Sequence, residues 1–264
     1  CGAAYDVPQV CPACGSRELH TRGAGTEKIE DRVCDAFPEA RVARMDLDTT
    51  RTNGAYERII DDFAEGRTDI LIGTQMIGKG LDFDRVSVVG ILDADSMMNY
   101  PDFRAYEQAF MMMAQVSGRA GRKGGRGLVI LQTKSPDAPL LDYVVRNDYG
   151  ALYRELIAER QAFRYPPYTH LTYIYMKHRD ETVVDHAANE MGSMLRRWFG
   201  DRVLGPDRPA VARVKTLCIR KIVLKLELGI DMAKVRQYLR AAQKAMADDP
   251  RFRSVQTYFD VDPM

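Results

Sequence analysis

The stretch DILIGTQMIGKGLDF, residues 69–83, opens on the apolar run Ile70, Leu71 and Ile72 and closes in a glycine-rich segment around Lys79. An apolar run of that length, ended by Gly73, fits a strand buried on both faces, as in a parallel sheet covered by helices. Gly73 to Gly80 nearly matches a phosphate-binding loop, which needs Gly, four residues, Gly, Lys and then Ser or Thr. Gly80 stands at the hydroxyl position, and the next apolar run starts at Val86, only six residues later. No helix can begin there with its N-terminus toward a phosphate, so the segment is a strand-ending loop of another kind.

Working outward, Arg41–Met45, Asp69–Gly73, Val86–Leu92 and Leu128–Gln132 are short runs rich in Val, Ile and Leu, separated by helix-length segments or a loop. Tyr56, Ile59, Ile60 and Phe63 recur at helical spacing between two of them, with Asn53 placed as the cap. This alternation predicts a parallel α/β sheet over residues 21–164. Val88–Asp93 imitates the strand and carboxylate that hold magnesium in ATPases, but Ala94 follows where a glutamate would orient water. A complete ATPase is not expected within the chain. Asp102 and Arg104 are expected to form a structural ion pair at the start of the next helix.

Tyr165-Pro166-Pro167-Tyr168 forbids helix and marks a boundary. Beyond it, Leu171–Met176, Ile219–Leu228 and Ser254–Phe259 are predicted strands, and Thr182–Phe199 and Met232–Met246 predicted helices. They make a small α+β domain of about βαββαβ order over residues 165–264. That part carries 17 basic and 12 acidic side chains, against 21 and 25 in the first 164 residues, a bias that suits a polyanion and also an ordinary solvated surface. From Arg208 to Leu226 there are six basic residues and no acidic one, interleaved with β-branched positions. An exposed basic hairpin of this kind could follow a DNA backbone through Arg220, Lys221 and Lys225. A strand pair with one wet basic face and one buried face explains the same pattern.

Of five cysteines, Cys1, Cys11 and Cys14 are grouped, and the odd total suits a reducing compartment. Cys11-x-x-Cys14 before Gly15 has the form of a zinc knuckle, but with Cys1 it offers three ligands where a closed zinc site takes four. Residues 1–20 are therefore taken as the remnant of a zinc-binding ribbon, and the chain as a fragment. No apolar run reaches a membrane span and no secretory signal is present, so the expectation is a cytoplasmic protein without membrane contact.

A second stretch, QVSGRAGR at residues 115–122, joins residues 69–83 in resembling the sixth and fifth motifs of superfamily-two helicases. Asp93-Ala94-Asp95, YPDFRA at 100–105, the cysteine knuckle, YPPY at 165–168, VLGP at 203–206 and DVDP at 260–263 resemble the C-terminal part of the PriA family of replication-restart helicases. The resemblance covers nearly the whole chain. It departs at Tyr106-Glu107-Gln108 and Met111 to Met113, where the family tends to be more polar.

The resemblance implies a second RecA-like motor lobe at 21–164, followed by a domain for DNA and protein partners. It implies that Arg119 and Arg122 face the γ-phosphate of ATP, with Gly80, Asp82 and Gln115 on the nucleotide side. Thr74, Gln75 and Lys79 would reach a DNA phosphate. ATP and magnesium would be held together with another lobe, and zinc by an incomplete site. The implied partners are branched and single-stranded DNA, a single-strand-binding protein and primosome components, with 3′ to 5′ translocation. Two other functions compete. A RecG-type fork-remodelling motor of the same superfamily is opposed by the knuckle and by Tyr165–Tyr168. A non-enzymatic zinc-ribbon DNA-binding module would keep DNA affinity without Arg119 and Arg122 and never stimulate hydrolysis.

Overall fold

In the computed structural model, the run around Ile70 becomes one member of a parallel strand pair. The structure describes Val10, Gly15, Arg17, Ala120 and residues 25–52, 54–74, 86–118 and 127–263. Two compact units divide at Tyr153 and Arg154. The first contains α1 (Thr26–Ala36), β1 (Val42–Met45), α2 (Ala55–Ala64), β2 (Ile70–Gly73), β3 (Val88–Ile91), α3 (Ala94–Met98), α4 (Ala105–Ser117), β4 (Leu128–Leu131) and α5 (Pro139–Arg146). Helix α6 (Tyr149–Ala162) runs across the division.

β1 pairs in parallel with β2, Val42 opposite Ile70, and β3 with β4, Val88 opposite Leu128. Parallel pairing follows from the intervening helices, which return the chain to the same edge. Among the described residues these are two separate pairs, not the continuous sheet expected, and Val88, Leu128 and Ile130 are exposed. Burial on both faces, expected from the apolar runs, is therefore not reached at β3 and β4. Asn53, the expected cap of α2, lies outside the described residues. Gly54 precedes the helix at φ 78, a left-handed conformation that glycine adopts without strain.

Immediately after β1, Asp46 closes a tight turn. Its carboxylate accepts from the Thr26 hydroxyl at 2.5 Å and from the backbone N–H groups of Asp48 and Thr49, both at 2.9 Å. Arg44 lies 3.3 Å away. These donors, the Thr26 hydroxyl foremost, hold the Asp46 pKa down at about 2 against an ordinary 3.8. A carboxyl depressed on folding stabilises above its unfolded pKa and loses that contribution as pH falls through the folded value. Asp46→Asn is thus expected to melt below the wild type at pH 7, with the gap closing between about pH 4 and pH 2. Thermal melts across that range check it; a gap independent of pH would assign Asp46 a purely steric role.

The second unit holds β5 (Thr169–His178), α7 (Glu181–Phe199), β6 (Val203–Asp207), β7 (Arg213–Val214), β8 (Leu217–Glu227), α8 (Met232–Asp248) and β9 (Gln256–Val261). That is one short strand, β7, more than the βαββαβ order read from the sequence. The sheet order is β6-β8-β5-β9, antiparallel throughout, with β7 paired to β8. Asp180 and Asp231 start the two helices by accepting backbone N–H groups of their first turns. Both helices supply the core that meets one face of the sheet. Ile174, Met176, Ile222, Leu224 and Leu226 pack there with Ala187, Met191, Leu195, Leu239 and Ala242. Burial of each of these larger side chains contributes roughly 1.5–3 kcal/mol.

Candidate functional site

In a parallel α/β unit, ligands gather where strands end at their carboxyl termini. Thr74 follows β2 and is exposed, and Gln115 is exposed in the last turn of α4. Gln75, Lys79, Gly80, Asp82, Arg119 and Arg122 lie outside the described residues, as do Cys1, Cys11 and Cys14. Among the described residues no group of three or more His, Cys, Asp or Glu could hold a metal ion, and no helix is long and apolar enough to cross a membrane.

The loop after β3 is latched to the loop after β4. Asp93 adopts φ 50, a left-handed conformation, and its backbone N–H meets the Gln132 side chain at 3.3 Å. The Asp95 carboxylate accepts from the Thr133 hydroxyl at 3.0 Å and from the Lys134 backbone N–H at 2.8 Å. Asp95 therefore ties two strand ends together, a role with no signature in the sequence because its partners lie 38 and 39 positions away. Asp102 accepts from the Arg104 backbone N–H at 2.8 Å and from its guanidinium at 3.2 Å, the structural pair expected before α4.

In the second unit the basic hairpin resolves into two faces. A strand alternates its side chains, so Cys218, Arg220, Ile222, Leu224 and Leu226 share the face turned to the helices, while Lys221, Val223 and Lys225 share the other. Arg220 is 4% exposed. Its guanidinium donates to Glu181 at 2.8 Å and to both oxygens of Asp185, the two acids standing one turn apart on α7. Burial works against its charge, and the Asp185 and Glu181 carboxylates more than offset it, so its pKa rises above the usual arginine value. This corrects the expectation of Arg220 as an exposed phosphate contact: its guanidinium is already engaged by Glu181 and Asp185 of α7 and by the Ile219 carbonyl. The parity with Ile222 and Leu224 was the signal that could have placed it.

Lys221 and Lys225 lie on the opposite face, each with its ammonium over a tyrosine. Lys221 Nζ sits 4.6 Å from the Tyr173 ring centre, and Lys225 Nζ 3.6 Å from that of Tyr165. Lys225 also donates to the Phe163 carbonyl at 2.7 Å. Partial burial, and then the neighbouring Arg164 charge, lower its pKa. Lys215 occupies the turn between β7 and β8 at φ 54, exposed with Arg213. Arg208 instead pairs with Glu181 at 2.8 Å.

Residues 24–124 match the model of the helicase conserved C-terminal domain, and residues 161–264 that of the primosomal protein N C-terminal domain. The chain is 37% identical over 246 residues to replication restart protein PriA of Bacillus subtilis (strain 168), covering 91% of the chain and 31% of that protein. It is 45% identical over 167 residues to the Chlamydia pneumoniae protein of the same name, covering 63% and 22%. With that of Thermotoga maritima it shares 32% over 249 residues, covering 94% and 33%. The chain thus spans a third or less of the length of these relatives.

Proposed function

The chain belongs to the PriA family of replication restart proteins, and on that premise we propose that it supplies the second motor lobe and C-terminal domain of an ATP-driven 3′ to 5′ DNA helicase for replication restart and primosome assembly. The observation that carries the proposal is the pairing of the two family matches, a helicase lobe and a primosomal domain, in one chain. ATP is the substrate, bound between this lobe and another that brings the phosphate-cradling loop and the magnesium carboxylates.

In that arrangement Arg119 and Arg122 meet charge spread over the phosphoryl oxygens, with Gly80, Asp82 and Gln115 on the nucleotide side. Thr74, Gln75 and Lys79 contact a DNA phosphate, where Lys79 adds charge without reading sequence. Lys221 and Lys225 engage the backbone of branched DNA. A single-strand-binding protein and primosome components are the protein partners of the whole assembly. Zinc, where carried, would fall to the thiolates of Cys1, Cys11 and Cys14 with a fourth ligand from elsewhere, and its role there is to hold the ribbon's shape.

The test joins the chain to a complete ATP-binding lobe. Alone it is expected to show no steady-state hydrolysis; joined, hydrolysis stimulated by forked DNA. Lys221→Glu with Lys225→Glu should raise the fork concentration required by about tenfold or more and flatten the salt dependence, because each lost phosphate contact removes a counterion-release term. Hydrolysis by the chain alone, or none in the joined protein, would overturn the motor assignment. An unchanged fork affinity in the double variant would remove the two lysines from the interface.

A further inference from the structure

The face of the C-terminal sheet turned away from α7 and α8 carries a stripe of tyrosines and lysines. On β5, Tyr173, Tyr175 and Lys177 alternate with the core residues Ile174 and Met176. Lys221 of β8 stands directly opposite Tyr175, and Tyr258 of β9 opposite Tyr175 on its other side. The Tyr175 and Tyr258 rings are stacked, 5.0 Å between centres at 17°. Tyr173 meets Tyr175 edge-on at 6.1 Å. Lys177 lies 4.6 Å over Tyr258, and Lys221 4.6 Å over Tyr173. Tyr258 is 40% exposed, and Tyr173, Tyr175, Lys177 and Lys221 are half-buried. Cross-strand packing accounts for rings on such a face, and the lysines set over them add a charge that packing does not require. Polar-edged rings interleaved with flexible cations serve a ligand that has flat apolar surfaces and negative charge in alternation.

Single-stranded nucleic acid is that ligand. Its bases stack on aromatic rings without regard to sequence, and its phosphates recur at a spacing that lysines beside the rings can follow. Duplex DNA has its bases already stacked on one another and presents only phosphates to such a face. We propose that this sheet face is a stacking platform for single-stranded nucleic acid, with bases on the Tyr175–Tyr258 column and phosphates at Lys177 and Lys221. The proposal rests on the DNA-binding role assigned above to Lys221, and adds what kind of strand is held and by which atoms. An ammonium over a tyrosine makes a weaker contact than a stacked base, so each lysine yields its ring and swings to a phosphate. Two carboxylates border the stripe from the edge strands, Asp207 of β6 opposite Lys221 and Asp260 of β9 opposite Tyr173, and Glu227, at the end of β8, is held by Arg202 at 2.7 Å.

The experiment is an affinity series on the whole chain, using labelled oligothymidine, oligouridine, an abasic strand of equal phosphate count, and a fork. The wild type should favour oligothymidine over the abasic strand by roughly tenfold or more, since stacking contributes about 5- to 150-fold per base. Oligouridine bound as well as oligothymidine means the platform does not separate RNA from DNA; oligothymidine bound better assigns it to DNA. Both outcomes support the stacking. Tyr175→Ala with Tyr258→Ala should abolish the preference for bases, and the matching phenylalanine variants should keep it. Lys177→Gln with Lys221→Gln should lower the salt slope by about 1.4. Equal affinity of the wild type for the abasic strand and oligothymidine overturns the platform, whatever the variants do. Fork binding that survives without any base preference overturns the platform alone, whereas no affinity for fork or strand overturns the underlying DNA-binding role as well.

Discussion

Replacing Arg122 by alanine, in the chain joined to a complete ATP-binding lobe, is expected to lower ATP turnover by roughly 10³- to 10⁵-fold while fork affinity is kept. An arginine aimed at the transferred phosphoryl group acts on charge that develops in the transition state, so its loss appears in turnover more than in ground-state binding. An arginine that merely pairs with acids at a helix end would behave otherwise, because exposed pairs contribute only about 0–1 kcal/mol. The variant would then melt a little lower and keep its rate per folded molecule. Melting temperature, fork affinity and hydrolysis measured on one preparation separate the two cases. A fall of less than about tenfold, or about 1.4 kcal/mol of barrier, would rule the phosphoryl role out.

Arg220→Ala is expected to destabilise the C-terminal unit by about 2–3 kcal/mol, with DNA affinity per folded molecule unchanged. The side chain is 5% exposed and is held by Glu181 and Asp185. Its removal leaves a gap beside the core and two carboxylates one turn apart in mutual repulsion. Those acids are 51% and 42% exposed, so water takes over part of the lost pairing, and the expected cost stays below that of stranding a fully buried charge. Asp185→Asn should cost less, because Glu181 still receives the guanidinium. Denaturant melts of the three proteins, read with fork affinity, check the ordering. A drop in affinity without a drop in stability would return Arg220 to the DNA interface.

Arg122 and Arg220 differ in what a local sequence pattern says about them. Around Arg119 and Arg122, glycines at fixed spacing form a motif that can be read from one segment, within the span that matches the helicase conserved C-terminal domain. Around Arg220 the local pattern was a run of positive charge, and charge does not say which way a side chain points. The strand's own alternation does, once its register against Ile222 and Leu224 is recognised. The same alternation puts Lys221 and Lys225 on the other face, each with its ammonium packed on a tyrosine. The tyrosine stripe escaped notice because Tyr173, Tyr175 and Tyr258 belong to β5 and β9, far apart in the chain and adjacent only across the sheet.

From sequence alone came most of the strand positions, the helicase family and the Asp102–Arg104 pair, whereas the two compact units divide at Tyr153 and Arg154, within α6 and upstream of the paired prolines. The first three depend on spacing over a few residues or on motifs carried by one segment. Tertiary structure alone decided that Asp95 latches two loops, that Arg220 is consumed by α7, and that tyrosines from separate strands stack into one column. Each of these depends on which distant groups share a solvent-poor space. Burial and strand pairing set that sharing through the sum of many weak contacts, and no single stretch of the chain encodes it.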